Sequence, residues 1–556
     1  MRLHRFVGAV MAFVMAAVLC LPMAHASEYG TQVVSAPMTY ALNARNGMVR
    51  VYLSSIGSPT SLDITVSGSY SVSGGTSMNL TNGETVHIAF NTQSGQITMS
   101  RGGQTYAMGT EMIFHRHVTD GANGLKIAQA KKPGNLYPGD LRLVAQPSGG
   151  MYRLYPVVSV YIESYLEGVV PYEMGNTAHI EALKAQAVAA RTYTLGKMNA
   201  RAGQLYDVVD TTNDQVYYGN SDSTANCTAA VQATRGIVLQ NNGQLTQTYY
   251  TASNGGQTES ARNFFNTSSY PYLTVKDDPF DRMNPQSVVR SVTVYADNTA
   301  SGQNAALKDL LHSKAISQLS GMGYTTGGLQ VTRINSVTPH TPKFASPSRL
   351  YTKVDFGLTV ATPSGTVNVT VTCDIFGELE SALGMSINAT QNELWSVEKS
   401  GNNFVLKAAR FGHGVGMSQR GAQNMAGVHG MRYMEILNFY YPGMTLERIE
   451  WETPELESLD EMPDGVGRAR PEPTPMPTPG PLPAREEGEY YAHVLLDDTA
   501  AVMNLRQSPT TQAPVVARLS HNQRVIVSGE PDAEGWVQVH TAEYSGYAKI
   551  EYLTEE

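Results

Sequence analysis

The sequence predicts a mixed α+β body whose N-terminal part is rich in strands, followed by a small all-β barrel. Three observations carry this reading. Between Met48 and Ala130 apolar and polar residues alternate in short runs, such as 48–53 and 62–66, broken by Gly and Asn. That period of two is the mark of antiparallel strands with one buried face. Residues 177–197 change to a helical period, with Ile180, Leu183, Ala187, Ala190 and Thr194 on one face and Glu181, Lys184 and Gln186 elsewhere on the cylinder. Beyond Tyr441-Pro442-Gly443 the chain turns acidic and then Pro-rich, and residues 500–553 show short strands between turn signals.

The elements follow in order. Arg2, His4 and Arg5 precede an apolar run over residues 6–21, and Ala24-His25-Ala26 fits a small-x-small cleavage site. This reads as a cleaved secretory signal over residues 1–26, with an uncleaved N-terminal anchor as the alternative. The run is short of the roughly 20 residues that a membrane helix needs. Cys20 follows Val18-Leu19, where a lipoprotein site wants a small residue, and is expected to leave with the signal. Residues 27–150 form the strand-rich region. A strand-like stretch over 153–162 then runs into the turn-prone Pro171, and the helix over 177–197 has Asn176 or Thr177 as its expected cap. Strand-like segments at 236–239, 246–251 and 367–373 complete a mixed body over 151–446. Residues 447–487 are a linker: six acids lie between Glu452 and Asp464, and Pro then stands at every second position from Pro471 to Pro483. Alternating Pro favours an extended polyproline spacer of about 40 Å. Residues 488–556 hold the small barrel. Nothing in the sequence assigns a role to residues 280–350.

Composition narrows the function. Charged residues are 16% of the 556, with 39 Lys+Arg against 48 Asp+Glu, and the net charge of −9 offers no footprint for a phosphate backbone. Nucleic acid is therefore not an expected partner. Tyr is abundant at 30 residues against 3 Trp, which suits neutral, hydroxyl-rich ligands and equally suits strands. Without the signal only Cys227 and Cys373 remain, so the fold rests on its core; one disulfide or two buried thiols both fit.

The densest chemistry lies in Tyr165-Leu166-Glu167-Gly168-Val169-Val170-Pro171-Tyr172-Glu173-Met174. Glu173 reads as sitting between a turn and a helix start, beside Val170, Tyr172 and Met174. An apolar wall would raise its pKa, as a general acid requires, whereas a helix N-terminus would lower it. A simple helix cap is the competing reading. Gln186 is either solvated or directed into a cleft. Arg191 is either a carboxylate's partner within the fold or a ligand contact.

Taken with Gln215-Val216-Tyr217-Tyr218-Gly219, Ala252-Ser253-Asn254-Gly255-Gly256-Gln257-Thr258-Glu259, Phe411-Gly412-His413-Gly414-Val415-Gly416-Met417-Ser418-Gln419-Arg420-Gly421-Ala422 and Glu435-Ile436-Leu437-Asn438-Phe439-Tyr440-Tyr441-Pro442-Gly443, this order resembles the stage II sporulation protein D family, the SpoIID/LytB domain. The resemblance implies a SpoIID-like body and a lytic transglycosylase acting on peptidoglycan strands stripped of stem peptides. It also implies that Glu173 is catalytic. In such an enzyme one carboxyl protonates the leaving oxygen and then takes the proton of the sugar's own 6-hydroxyl, leaving a 1,6-anhydro end, whereas ordinary glycosidases use two carboxylates. By the same resemblance Gln186, Arg191, Gln215, Tyr217, Ser253, Gly256, Glu259, His413 and Gln419 would line a sugar groove, while Gly412, Gly414 and Gly416 can also serve only to shape a turn into a helix near Ser418.

Some relatives hold zinc through nearby Cys and His. Cys227 stands alone here and His115-Arg116-His117 lacks further ligands, so neither a metal nor any other cofactor is expected. Phe376-Gly377-Glu378-Leu379-Glu380 carries acids where relatives often have Arg. Phosphate-loop and Gly-x-Ser-x-Gly signatures are absent. The C-terminal unit, with Gly535-Trp536-Val537-Gln538-Val539 and Ser545-Gly546-Tyr547-Ala548-Lys549, resembles a bacterial SH3-like domain of the wall-targeting kind. The expected protein is exported and wall-associated. Its expected partners are glycan strands and a cell-wall amidase, with no stable membrane span after signal cleavage. The alternative function is a non-catalytic enhancer of that amidase.

Overall fold

The computed structural model describes residues 47–221, 224–451, 456, 485, 488–496, 502–511, 513, 515–521, 523–541 and 544–556. The signal expected over 1–26 and most of the linker, including its Pro-rich run, lie outside the described residues. The chain divides into two compact units, Met1–Leu459 and Asp460–Glu556.

In the first unit the expected alternation produces two sheets, antiparallel except where Met48–Tyr52 pairs in parallel with Val208–Val209. Strand Ser61–Ser67 buries every second residue, and sits in a five-stranded sheet with Gln104–Gly109, Ile97–Arg101, Thr85–Phe90 and Gly124–Ile127. A seven-stranded sheet holds Met48–Tyr52 beside the long hairpin of Gly139–Ser148 and Met151–Tyr161, in register from Gly139 with Val160 to Ser148 with Met151. The division expected at 150/151 lies in the turn of that hairpin. One apolar core runs across it, from Val49 through Val158 and Leu183 to Ile449.

The strand expected over 153–162 is the second arm of that hairpin, and it feeds directly into helix α1, Ile162–Met174, where a turn at Pro171 is expected. Ile162, Tyr165, Leu166, Val169 and Val170 form an unbroken i, i+3, i+4, i+7, i+8 stripe, all buried. Burial of that stripe, at about 1.5–3 kcal/mol per large apolar side chain, outweighs the roughly 3 kcal/mol that a proline costs a helix interior. Helix α2, Ile180–Ala200, starts three residues later than expected. His179 caps it, its ring accepting the Glu181 N–H at 3.3 Å, while Asn176 Oδ1 accepts the N–H of Cys227 in helix α3, Ala225–Ala233. The face division expected for α2 also differs: Ile180 is exposed, whereas Gln186 and Arg191 are fully buried. The cause is that α1, α3, strand Ile237–Asn241 and helices Gln419–Gly427 and Tyr433–Tyr440 surround α2, so nearly all of it is interior.

Residues 288–409 interrupt the body with a module that has its own core. Two three-stranded sheets, one of Val288–Val294, Asn403–Ala409 and Leu394–Ser400 and one of Gln330–Pro342, Tyr351–Thr362 and Gly365–Asp374, pack with helix Ala305–Gly321 around Leu311, Phe356, Leu358 and Trp395. Residues 280–350, without an assignable motif, thus belong largely to this module. Cys227 lies in the first core and Cys373 in the second, both free, which decides between the disulfide and the buried thiols. Of the strand expected over 246–251, only Tyr250–Thr251 pairs across to another motif; the short strand Gln244–Leu245 precedes it. Among the described residues no helix is long and apolar enough to cross a membrane.

The second unit is the expected all-β element. A seven-stranded sheet, including Glu489–Val494, Arg524–Ser528 and Trp536–His540, encloses Val494, Leu505, Val525, Val527, Val537 and Val539.

Candidate functional site

Glu173 stands in the last turn of α1, before Gly175 ends the helix at φ 80°, and not at a helix start. The electrostatic expectation therefore reverses. The C-terminal end of a helix carries partial negative charge and disfavours a carboxylate, in the same direction as burial. Glu173 Oε1 accepts the Val216 N–H at 3.3 Å and Oε2 accepts the Gln419 side-chain amide at 3.1 Å. Gln419 also donates to Gln186 Oε1 at 3.4 Å, and Gln186 Nε2, itself buried, has no partner. Among the described residues no Lys or Arg forms an ion pair with Glu173. Burial pushes its pKa above the ordinary carboxylate range, and the two N–H donors pull it part of the way back.

Backbone pairing brings the distant motifs to this point. Tyr250–Thr251 pairs in parallel with Met417–Ser418, Ser253 bridges Phe411 and Glu259 bridges Val415. Gly416, at φ 75°, lies so close to Tyr249 that any side chain would strike its carbonyl oxygen. The Ser418 hydroxyl accepts the Gly421 N–H at 3.0 Å and caps helix Gln419–Gly427, which sets Gln419 opposite Glu173.

Two buried aspartates absent from the sequence reading tie these loops together. Asp281 accepts the Ser253 hydroxyl at 2.9 Å, the Asn254 N–H at 2.8 Å and the Ser418 hydroxyl; Asp278 accepts Asn254 Nδ2 and Tyr440 OH, each at 2.7 Å. The usable signal was Asp278-Pro279, a helix cap followed by Pro at the first helical position.

His413 lies at the edge of the site, ringed by Tyr249, Phe264 and Phe265 at centroid separations of 6.0, 5.8 and 5.4 Å. Its Nδ1 accepts the Val415 N–H at 3.0 Å, and burial holds its pKa down to about 4. It is a neutral imidazole near pH 7.

The remaining expected residues are held inside the fold. Arg191 makes a two-pronged ion pair with Glu163, at 2.9 and 2.7 Å, and donates to the Ile237 and Val231 carbonyls. Gln215 accepts from Tyr165 and Thr194 and donates to the Ala190 carbonyl and Tyr250 OH, so its amide is fully engaged. Tyr217 is a fully buried ring against Tyr137 and Tyr165. Glu259 is buried against Arg410 at 3.2 Å and accepts from Ser260 and Asn263. Ser253 is bound to Asp281, and Gly256, at φ 91°, leaves room for the Arg282 side chain. The structure therefore gathers Glu173, Gln186 and Gln419, sets His413 nearby, and makes supports of the others. The segment over residues 376–380, with acids where relatives often have Arg, sits in the inserted module, where Glu378 pairs with Lys314 at 2.8 Å. Among the described residues no group of three or more His, Cys, Asp or Glu is arranged to hold a metal ion.

Comparison with known proteins adds the following. A family model described as Stage II sporulation protein matches residues 152–240, and one described as Bacterial SH3 domain matches residues 500–554. The chain is 33% identical over 308 residues to the amidase enhancer of Bacillus subtilis (strain 168), covering 50% of this chain and 40% of that protein. It is 31% identical over 288 residues to an uncharacterized protein of Brachyspira hyodysenteriae, covering 51% of this chain and 66% of that protein. It thus spans less than two thirds of either relative. Against the stage II sporulation protein D of Bacillus subtilis (strain 168) the identity is 30% over 345 residues, covering 58% of this chain and 86% of that protein. Extending over most of that relative's length, this likeness shows that the chain belongs to the stage II sporulation protein D family, with a bacterial SH3 domain at its C-terminal end.

Proposed function

We propose that the protein is an exported peptidoglycan lytic transglycosylase that cleaves MurNAc-GlcNAc bonds of denuded glycan strands, with Glu173 as both acid and base. The observation that carries this reading is a desolvated carboxyl that, among the described residues, has no cationic partner and is held by two N–H donors. Protonated Glu173 gives its proton to the glycosidic oxygen as the bond to C1 breaks. The carboxylate so formed is stabilised by the Val216 and Gln419 donors. It then takes the proton of the 6-hydroxyl as that oxygen closes on C1, which leaves a 1,6-anhydro end, restores the acid and consumes no water. Gln186 Nε2 is a free donor for a substrate oxygen beside that carboxyl. In this reading residues 1–26 direct export, the Pro-rich stretch is a tether, and the SH3 domain holds the body near the wall and raises its local concentration there.

The test is to incubate the mature protein with strands lacking stem peptides and to search by mass spectrometry for 1,6-anhydro-MurNAc ends. Wild type should produce them and Glu173→Gln should not. Their absence from the wild-type digest, or equal yields from both proteins, overturns the reading. A second reading, non-catalytic stimulation of an amidase, is favoured by the name of the 33% identical relative. It expects full stimulation of a purified amidase by Glu173→Gln.

A further inference from the structure

A cavity of about 520 Å³ lies where the inserted module meets the Gly255-Gly256 loop, with Arg282, Ser287, Arg349, Tyr351, Leu394 and Lys407 in its lining. Its chemistry differs from that around Glu173. The guanidinium groups of Arg282 and Arg349 converge on one oxygen, the Gly256 carbonyl, at 3.4 and 3.0 Å. Two like charges brought together repel unless an anion lies between them. Arg349 shares the exposed Asp277 at 2.7 Å and Lys407 shares Glu398 at 2.6 Å, whereas among the described residues Arg282 forms no ion pair. Ser287 lines the same cavity at 1% exposure, and its buried hydroxyl has no partner. Unanswered donors of this kind are what the oxygens of a bound ligand satisfy, and guanidinium groups match the oxygens of a carboxylate or a phosphate. Tyr351 and Leu394 supply an apolar wall for the face of a sugar ring.

We infer that this cavity is an accessory subsite for the free lactyl carboxylate of a muramyl residue, on the strand whose reacting bond lies at Glu173. This rests on the proposed function, and it adds a reason for the choice of strand. The lactyl carboxyl is a neutral amide while a stem peptide is attached and an anion once the peptide is gone, so a cationic subsite distinguishes denuded from substituted strands. The subsite is joined to the reacting centre by hydrogen bonds, since the loop that forms its rim is held by Asp281, which also holds Ser418 beside Gln419.

Binding is measured on the full chain carrying Glu173→Gln, by calorimetry, with N-acetylmuramic acid, its neutral methyl ester, N-acetylglucosamine and inorganic phosphate as probes. The acid should bind at least about tenfold more tightly than the ester or N-acetylglucosamine, the loss expected when a charge-assisted hydrogen bond is removed. Adding Arg282→Gln or Lys407→Gln should abolish that preference. Equal binding of acid and ester, no effect of either substitution, or competition by phosphate as effective as by the sugar acid overturns the subsite. Failure of the catalytic reading looks different: wild type would make no anhydro ends while the acid still bound in preference to its ester.

Discussion

The two ends of α1 carry glutamates in opposite circumstances. Glu163 in its first turn is buried, but Arg191 and the Gly236 N–H answer its charge. Glu173 in its last turn meets, among the described residues, the Val216 N–H and an amide side chain and no cation, at the end of the helix where the dipole also opposes a carboxylate. Glu259, bound to Arg410, repeats the first pattern. The contrast teaches that burial alone does not select a general acid. Burial without a cation favours the neutral form that a general acid needs, whereas burial against a cation does not.

The sharpest way to break this comparison is to exchange the roles. Glu173→Gln should lower the formation of anhydro ends by about 10²–10⁴-fold, the usual contribution of an acid–base group. A carboxyl whose folded pKa is raised loses stabilising effect as pH rises through that pKa, so the same variant should melt no lower than wild type at pH 7. Arg191→Met should do the reverse. It strands Glu163 and should cost about 3–5 kcal/mol in urea unfolding, as the loss of one partner of a buried ion pair does. A stable Arg191→Met protein would show that the pair is dispensable.

Smaller changes sharpen the comparison. Gln419→Leu removes one of the two donors to the Glu173 carboxylate. The rate should fall about tenfold, and the alkaline limb of the rate profile, where the acid is lost, should move to higher pH by up to about one unit. An unmoved limb would mean that this hydrogen bond does not tune Glu173. His413 titrates in the opposite sense. Its folded pKa of about 4 lies below the ordinary value of 6.5, so stability is lost as pH falls from 6.5 through 4. His413→Gln should flatten that part of the acid-unfolding curve.

The inserted module offers the last comparison. Glu380 and Glu393 are buried side by side, with Glu380 Oε1 and Glu393 Oε2 lacking donors, and one proton held between them would satisfy both. Burial and the neighbouring carboxylate raise the pKa of Glu380, so stability should fall as pH rises through that raised value. In thermal melts against pH, Glu380→Gln should remove that decline.

Much of this was legible in the chain. The alternation over 48–130, the helix near 180–197 and the shift to a separate β unit follow from period and composition, which act through local geometry. The identity of Glu173 as the candidate acid came from the motif series. Its helical setting was also present, as the apolar stripe from Ile162 to Val170, but Pro171 drew the reading towards a turn.

The sequence by itself determined which residue types were available, how they alternate, and that a carboxyl, three glutamine side chains and a histidine recur in ordered motifs. Only the tertiary structure decided their work. Gln186, Gln215, Arg191 and Glu259 look alike as candidate ligand contacts along the chain, yet packing gives Gln215, Arg191 and Glu259 complete sets of internal partners and leaves Gln186 Nε2 without one. The physical reason is that a polar side chain's role depends on which partners reach it after burial, and those partners lie 28 residues away for Arg191 with Glu163 and 246 for Glu173 with Gln419.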